Sequence, residues 1–223
     1  MSETRAIELV CFDLGGVLVR TCTVWSDLCR AARLEVRGGS AGALAEQARR
    51  QIGEAQMLGS LSTEQWVEAM HRALDGLYSA EEITALHDAV LIGEYPGVGA
   101  LIDDLHRAGV ATACLSNTSS PHWVKMLHHD GVDPLPGDAL YPSVRSLGSH
   151  HASHLMRLLK PSPSIYRAFE KATGYSGAQI LFFDDLAENI AAAREVGWRA
   201  ETIDPTRPTD EQLRRYLAAH GVL

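Results

Sequence analysis

Short apolar runs recur along the chain at Glu8–Phe12, Val110–Leu115, His150–Ser153, Ile180–Phe183 and Arg199–Ile203. Their length and composition predict strands. Stretches of helical period separate most of them. In Pro96–Ala108, Val98, Leu101, Ile102 and Leu105 fall on one helical face, and Gly109 follows in the position that ends a helix. A second helix is expected from a cap at Ser162 or Ser164 to about Lys171, with Gly174 beyond it. Ala187–Val196, closed by Gly197, and Thr209–Ala219, followed by Gly221, complete the set. Strands that alternate with helices imply a parallel sheet covered on both faces.

The stretch from Thr21 to Glu94 breaks this alternation. It predicts helices over Val24–Leu34, Ala41–Met57, Ser62–Leu74 and Ala80–Leu91, and no strand. Ser62 and Gln65 have the spacing of a capping box. Gly38-Gly39 and Leu58-Gly59-Ser60 separate neighbouring helices. A helical block of this size after the first strand reads as an insertion above the strand ends, where it can serve as a lid. The division expected is therefore a core of residues 1–20 and 95–223 and a helical cap of residues 21–94.

With 223 residues, 46% of them hydrophobic and 22% charged, the chain has the composition of an ordinary globular protein. A net charge of −8 argues against nucleic acid as a partner, because phosphate backbones select basic surfaces. It leaves room for a small anionic substrate. Cys11 and Cys114 sit inside apolar runs, and the spacing of these with Cys22 and Cys29 suggests no zinc site. Residues 1–5 lead into the first strand without a signal peptide, and no run is long enough to span a membrane, so a cytoplasmic location is expected.

Four polar sites follow apolar runs or stand between them. Asp13 ends the first run and is followed at once by Gly15 and Gly16. Strand C-terminal ends are where open α/β sheets gather ligands, and glycine lets the backbone come close to one; the same residues also make an ordinary turn. Ser116-Asn117-Thr118 closes the second run with a hydroxyl, an amide and backbone N–H groups that can donate to an anion, or cap and turn the chain. Lys160-Pro161 offers a point charge suited to phosphate, though on its own a Lys-Pro reads first as a solvated surface lysine. Asp184 and Asp185 end the fourth run. Adjacent carboxylates repel unless something offsets them, and Mg²⁺ takes carboxylates together with substrate phosphate. Asn189, one helical turn past Asp185, can orient the pair, and Asp185 is placed to cap the helix that follows.

Taken together, Phe-Asp-Leu-Gly-Gly-Val-Leu-Val around Asp13, Leu-Ser-Asn-Thr at Ser116, Lys-Pro-Ser-Pro-Ser-Ile-Tyr at Lys160 and Phe-Asp-Asp-Leu-Ala-Glu-Asn-Ile at Asp184 resemble the haloacid dehalogenase superfamily. The likeness covers nearly the whole chain. It is strongest to bacterial sugar-phosphate phosphatases and to the N-terminal phosphatase domain of soluble epoxide hydrolases. The resemblance implies a Rossmann-like core with a helical cap and a small phosphorylated substrate. It implies Mg²⁺ held by Asp13, the Gly15 carbonyl, Asp184 and Asp185. Asp13 would be the nucleophile, forming an aspartyl-phosphate that water hydrolyses. Gly16, Ser116, Asn117 and Lys160 would hold the phosphate.

The chain departs from that pattern in two places. Most phosphatases of the superfamily carry an acid/base Asp two residues after the nucleophile, and here that residue is Gly15. Slow turnover of poor leaving groups is therefore expected. Where the superfamily usually has Gly, this chain has Arg157, which can add positive charge near the site. His150, His151 and His154 lie close by without the carboxylates or cysteines of a metal set. Trp25, Cys22, Arg20, His122 and Trp123 border the expected site, where packing is the default role of the tryptophans. Two other readings remain open at this point: a dehalogenase whose nucleophile attacks carbon without a metal, and a phospholigand-binding protein without turnover.

Overall fold

A computed structural model of the chain describes residues 6–127 and 141–223. The reading of residues 1–5 lies outside them. Among the described residues, five parallel strands form one sheet in the order β5-β4-β1-β6-β7. These are β1 (Leu9–Phe12), β4 (Ala111–Ser116), β5 (Ser149–Ala152), β6 (Ile180–Asp184) and β7 (Arg199–Thr202). The strand alternation explains the two apolar layers. Val10 and Phe12 pack on one face with α5 (Val98–Arg107) and α11 (Thr209–Ala219). Leu9 and Cys11 pack on the other with α9 (Pro163–Thr173) and α10 (Ala187–Glu195). Because β1 is sandwiched between β4 and β6 and buried on both faces, it carries no polar residue until Asp13. The fold is thus the Rossmann-like α/β arrangement expected.

Between β1 and α5 the chain forms α1 (Trp25–Ala31), α2 (Ala43–Met57), α3 (Thr63–Ala73) and α4 (Ala80–Asp88). Their apolar faces make a core of their own, with Trp25, Trp66, Met70, Tyr78 and Leu86 buried in it. Ser62 and Gln65 cap α3 reciprocally as expected, and Ser79 with Glu82 repeats the device on α4.

The expectation that this stretch holds no strand is corrected. β2 (Val19–Thr21) and β3 (Leu91–Glu94) pair antiparallel where the chain leaves and re-enters the sheet domain, and α4 stops at Asp88 rather than running on to Leu91. Three and four residues are too few to show a period, and each finds its partner only across the whole helical block. The helical block also touches the core directly. Ser153 Oγ donates to Met57 O at 2.6 Å, His122 Nε2 donates to His87 O at 2.9 Å and Lys125 Nζ reaches Asp88 O at 3.2 Å. Among the described residues no helix is long and apolar enough to cross a membrane.

Candidate active site

The parallel register brings the sequence motifs to one edge. Phe12 is level with Cys114 on β4 and with Phe183 on β6, and Asp13 N donates to Phe183 O at 2.8 Å. Asp13, Ser116 and Asp184 therefore stand side by side at the carboxyl ends of three neighbouring strands. Asp13 is 8% exposed, Ser116 4% and Asp184 is fully buried.

Lys160 lies within this edge, also buried, with Nζ 2.7 Å from Asp184 Oδ2 and 3.0 Å from Asp13 Oδ1. Burial opposes its charge, but the two carboxylates more than offset that and hold its pKa above the usual lysine value. Its position is set by Asn117, whose Nδ2 donates to Lys160 O at 2.9 Å and whose Oδ1 accepts from Lys160 N at 3.0 Å. The Asn117 side chain, expected to hold phosphate, is thus committed to the lysine loop.

Asp184 is committed as well. Its oxygens accept from Lys160 Nζ, from Leu186 N at 2.8 Å and from Asn189 Nδ2 at 2.9 and 3.0 Å. Asn189 is fixed in turn by its own carbonyl, which accepts from Tyr166 Oη at 2.9 Å. The capping role expected of Asp185 is not filled: Leu186 occupies the N-cap position with no side-chain cap hydrogen bond, and the Asp184 carboxylate accepts from Leu186 N. Asp185 is left facing Asp13, and Gly16 lies against it: a Cβ built on Gly16 would sit 2.5 Å from Asp185 Oδ2. Gly16 has φ +72°, so both backbone and space require glycine.

One ammonium thus faces three carboxylates. Oxygens of Asp13, Asp184 and Asp185 lie within 4.8 Å of one another. Burial, then the charges of Asp13 and Asp184, push Asp185 up to about 7. Burial also raises Asp13, against the pull of Lys160. Asp13 Oδ1 is buried, and the Lys160 ammonium 3.0 Å from it is shared with Asp184. A divalent cation between Asp13 and Asp185 offsets the negative charge that one shared ammonium leaves over, so the residues present fit Mg²⁺.

The other flagged residues lie outside this cluster. His150 bonds Val144 O, His151 meets Ser149 Oγ and His154 bonds Thr118 O, three different partners and no shared centre. Arg157 ends α8 (Ser153–Met156) in the left-handed region at φ 55°, a conformation glycine adopts without strain. It lines a groove with Ser62, Glu64 and His154 and does not border the carboxylates. Trp25 and Cys22 line the inner hollow of the helical block, His122 lines the cavity beside Gly15 and Ser116, and Trp123 is buried in the core. That cavity is also walled by Gln56, Trp66 and His87, which the sequence marks only as parts of helices; Gln56 stands among the other polar residues of α2 and gives no signal of its own.

Residues 7–197 match the family model of haloacid dehalogenase-like hydrolases. The chain belongs to that family. The hydrolase is 27% identical over 160 residues to phosphatase MT3486 of Mycobacterium tuberculosis, an alignment covering 71% of this chain and 69% of that one. Its fold is similar to a HAD-like family hydrolase of Porphyromonas gingivalis, with TM-score 0.74 and 21% identity over 96% of this chain and 98% of the other. It is also similar to a HAD family enzyme of Bacteroides thetaiotaomicron determined with magnesium and inorganic phosphate, with TM-score 0.69 and 21% identity over 88% and 94% of the two chains. The family accounts for the topology of the hydrolase.

Proposed function

We propose that this hydrolase is a Mg²⁺-dependent phosphatase of a small phosphorylated metabolite, working through an aspartyl-phosphate on Asp13. The observation that carries the reading is the buried Asp13 carboxylate beside Asp185 in a site where one ammonium faces three carboxylates. A phosphatase relative and a fold neighbour holding magnesium and phosphate support it.

Asp13, the Gly15 carbonyl and Asp185 would hold the cation, with Asp184 behind them keeping Lys160 and the loop in place. When bound, Mg²⁺ neutralises phosphate charge and aligns the phosphorus with Asp13. Lys160 neutralises a second share of that charge, and the Ser116 hydroxyl donates to a phosphate oxygen. Asp13 attacks phosphorus, and the ester P–O bond breaks with its electron pair on the leaving oxygen, which departs as an oxyanion and is protonated once it reaches solvent. Water then attacks phosphorus, the Asp13–phosphorus bond breaks, and phosphate leaves with the carboxylate restored. The helices α1–α4 act as a lid that excludes bulk water from these steps.

Phosphate release across a panel of monoesters is expected to require Mg²⁺ and to stop with EDTA. Activity unchanged by EDTA, or halide release from 2-haloacids in its presence, overturns the reading. Gly16→Ala tests the cation site from the side of the backbone. Its methyl group must displace Asp185, so half-saturation by Mg²⁺ is expected to rise about 10–100-fold. Titration of activity against Mg²⁺ checks it.

A further inference from the structure

The cavity beside Gly15 and Ser116 runs upward between α2, α3 and α4 and encloses about 310 Å³. Its character differs from the charged edge below it. Met57, Met70 and Met126 are among the residues that line it. Trp66 lies 4.6 Å from the His87 ring, and His87 stacks on His122 at 3.8 Å with 16° between the planes. Burial holds both histidines below their usual range, His87 at about 3, so these two rings are uncharged at neutral pH. Among the described residues no carboxylate lines the cavity. Arg49, which reaches the lining, is engaged by Ser40 O and lies 4.2 Å over the Trp25 ring.

Two donors in this wall are unmet. Gln56 Nε2 and Trp66 Nε1 are buried without a hydrogen-bond partner among the described residues, and their side chains belong to residues only 5% and 7% exposed. A buried donor without an acceptor is unfavourable, and both belong to residues lining the space a leaving group would fill.

We propose that the leaving group accepted here is a flat, largely apolar hydroxyaryl or hydroxyheteroaryl compound carrying a ring carbonyl or similar acceptor for Gln56 Nε2 and Trp66 Nε1. This rests on the phosphatase reading and names its substrate class. Aromatic rings pack well on indole, imidazole and thioether surfaces. A polyol would bury several hydroxyl donors against this wall, each unmet one costing roughly tenfold in affinity. The chemistry agrees with the shape. With Gly15 in place of an acid and no carboxylate in the lining, the leaving oxygen departs as an anion, and an aryl oxyanion is far more stable than an alkyl one.

The test separates the pocket from the catalysis by omitting phosphate. Isothermal titration of the metal-free full chain with 4-methylumbelliferone, which has a ring carbonyl, is compared with 1-naphthol, which has none, and with glucose. Wild type is expected to bind 4-methylumbelliferone about fivefold or more tighter than 1-naphthol and glucose weakest. Gln56→Leu is expected to remove that preference and Trp66→Phe to reduce it. Absence of binding by either aryl compound, glucose binding as tightly, or a preference that survives both variants overturns the inference. If the aryl compounds bind as expected but 4-methylumbelliferyl phosphate releases no phosphate with Mg²⁺, the pocket assignment stands and the phosphatase reading falls.

Discussion

Asp13→Asn is expected to lower phosphate release on the order of 10⁴-fold or more, the scale on which covalent catalysis depends on its nucleophile. The amide keeps the shape of the side chain but cannot form the phosphoryl ester. The fold is expected to survive. Asp13 is raised above its ordinary pKa by burial, so the native state disfavours its ionised form, and a neutral amide removes repulsion with Asp184 and Asp185. Lys160 keeps Asp184 as a partner at 2.7 Å. In EDTA the thermal unfolding midpoint of the variant is therefore expected to match or exceed that of wild type. Activity retained in Asp13→Asn overturns the mechanism. A large fall in the midpoint assigns the lost activity to misfolding instead.

The residues of this edge were legible because each ends an apolar run. A strand buried on both faces shows as a continuous hydrophobic stretch, and its first polar residue marks the edge of the sheet. Asp13 and Asp184 are such residues, Ser116 closes a run that Thr112 alone interrupts, and parallel pairing makes the three neighbours. What each side chain does depends on partners far along the chain. Asn117 reads locally as an anion donor, yet the partner that occupies it is 43 residues away. Of two adjacent aspartates, nothing local says which will be taken up by Lys160 and Asn189 and which left facing Asp13.

The helical block shows the same limit on a larger scale. The spacing of Trp66 and Met70 puts them on one face of α3, and both are buried. It could not say that this face lines a cavity as well as packing against α4, because a buried position looks the same in sequence whether its neighbour is protein or ligand. The β2–β3 pair escaped for a related reason, since its two short segments acquire meaning only when the helices between them have folded.

Gly15→Asp is expected to raise turnover of alkyl phosphates by about 10²–10⁴-fold, the usual worth of a positioned general acid. The two glycines after Asp13 differ sharply in what they allow. Gly16 needs positive φ and would press a methyl group into Asp185, whereas a Cβ on Gly15 meets only Thr21 Cγ2 at 3.6 Å, an ordinary contact. An aspartate is therefore accommodated at 15, and the Gly15 carbonyl stays where the cation would need it. The new carboxyl stands at the foot of a cavity that has no acid among its described lining residues. Burial beside three carboxylates raises its pKa, which favours the protonated form that a leaving alkoxide requires. Aryl phosphates, whose oxyanions need no proton to depart, gain little. The check is kcat/KM across esters of graded leaving-group pKa. Wild type is expected to show a steep dependence and Gly15→Asp a shallow one, with the two lines meeting at the acidic phenols. Equal slopes mean that the proton comes from elsewhere, and Gly15 is then no more than the turn that lets the backbone reach the phosphate.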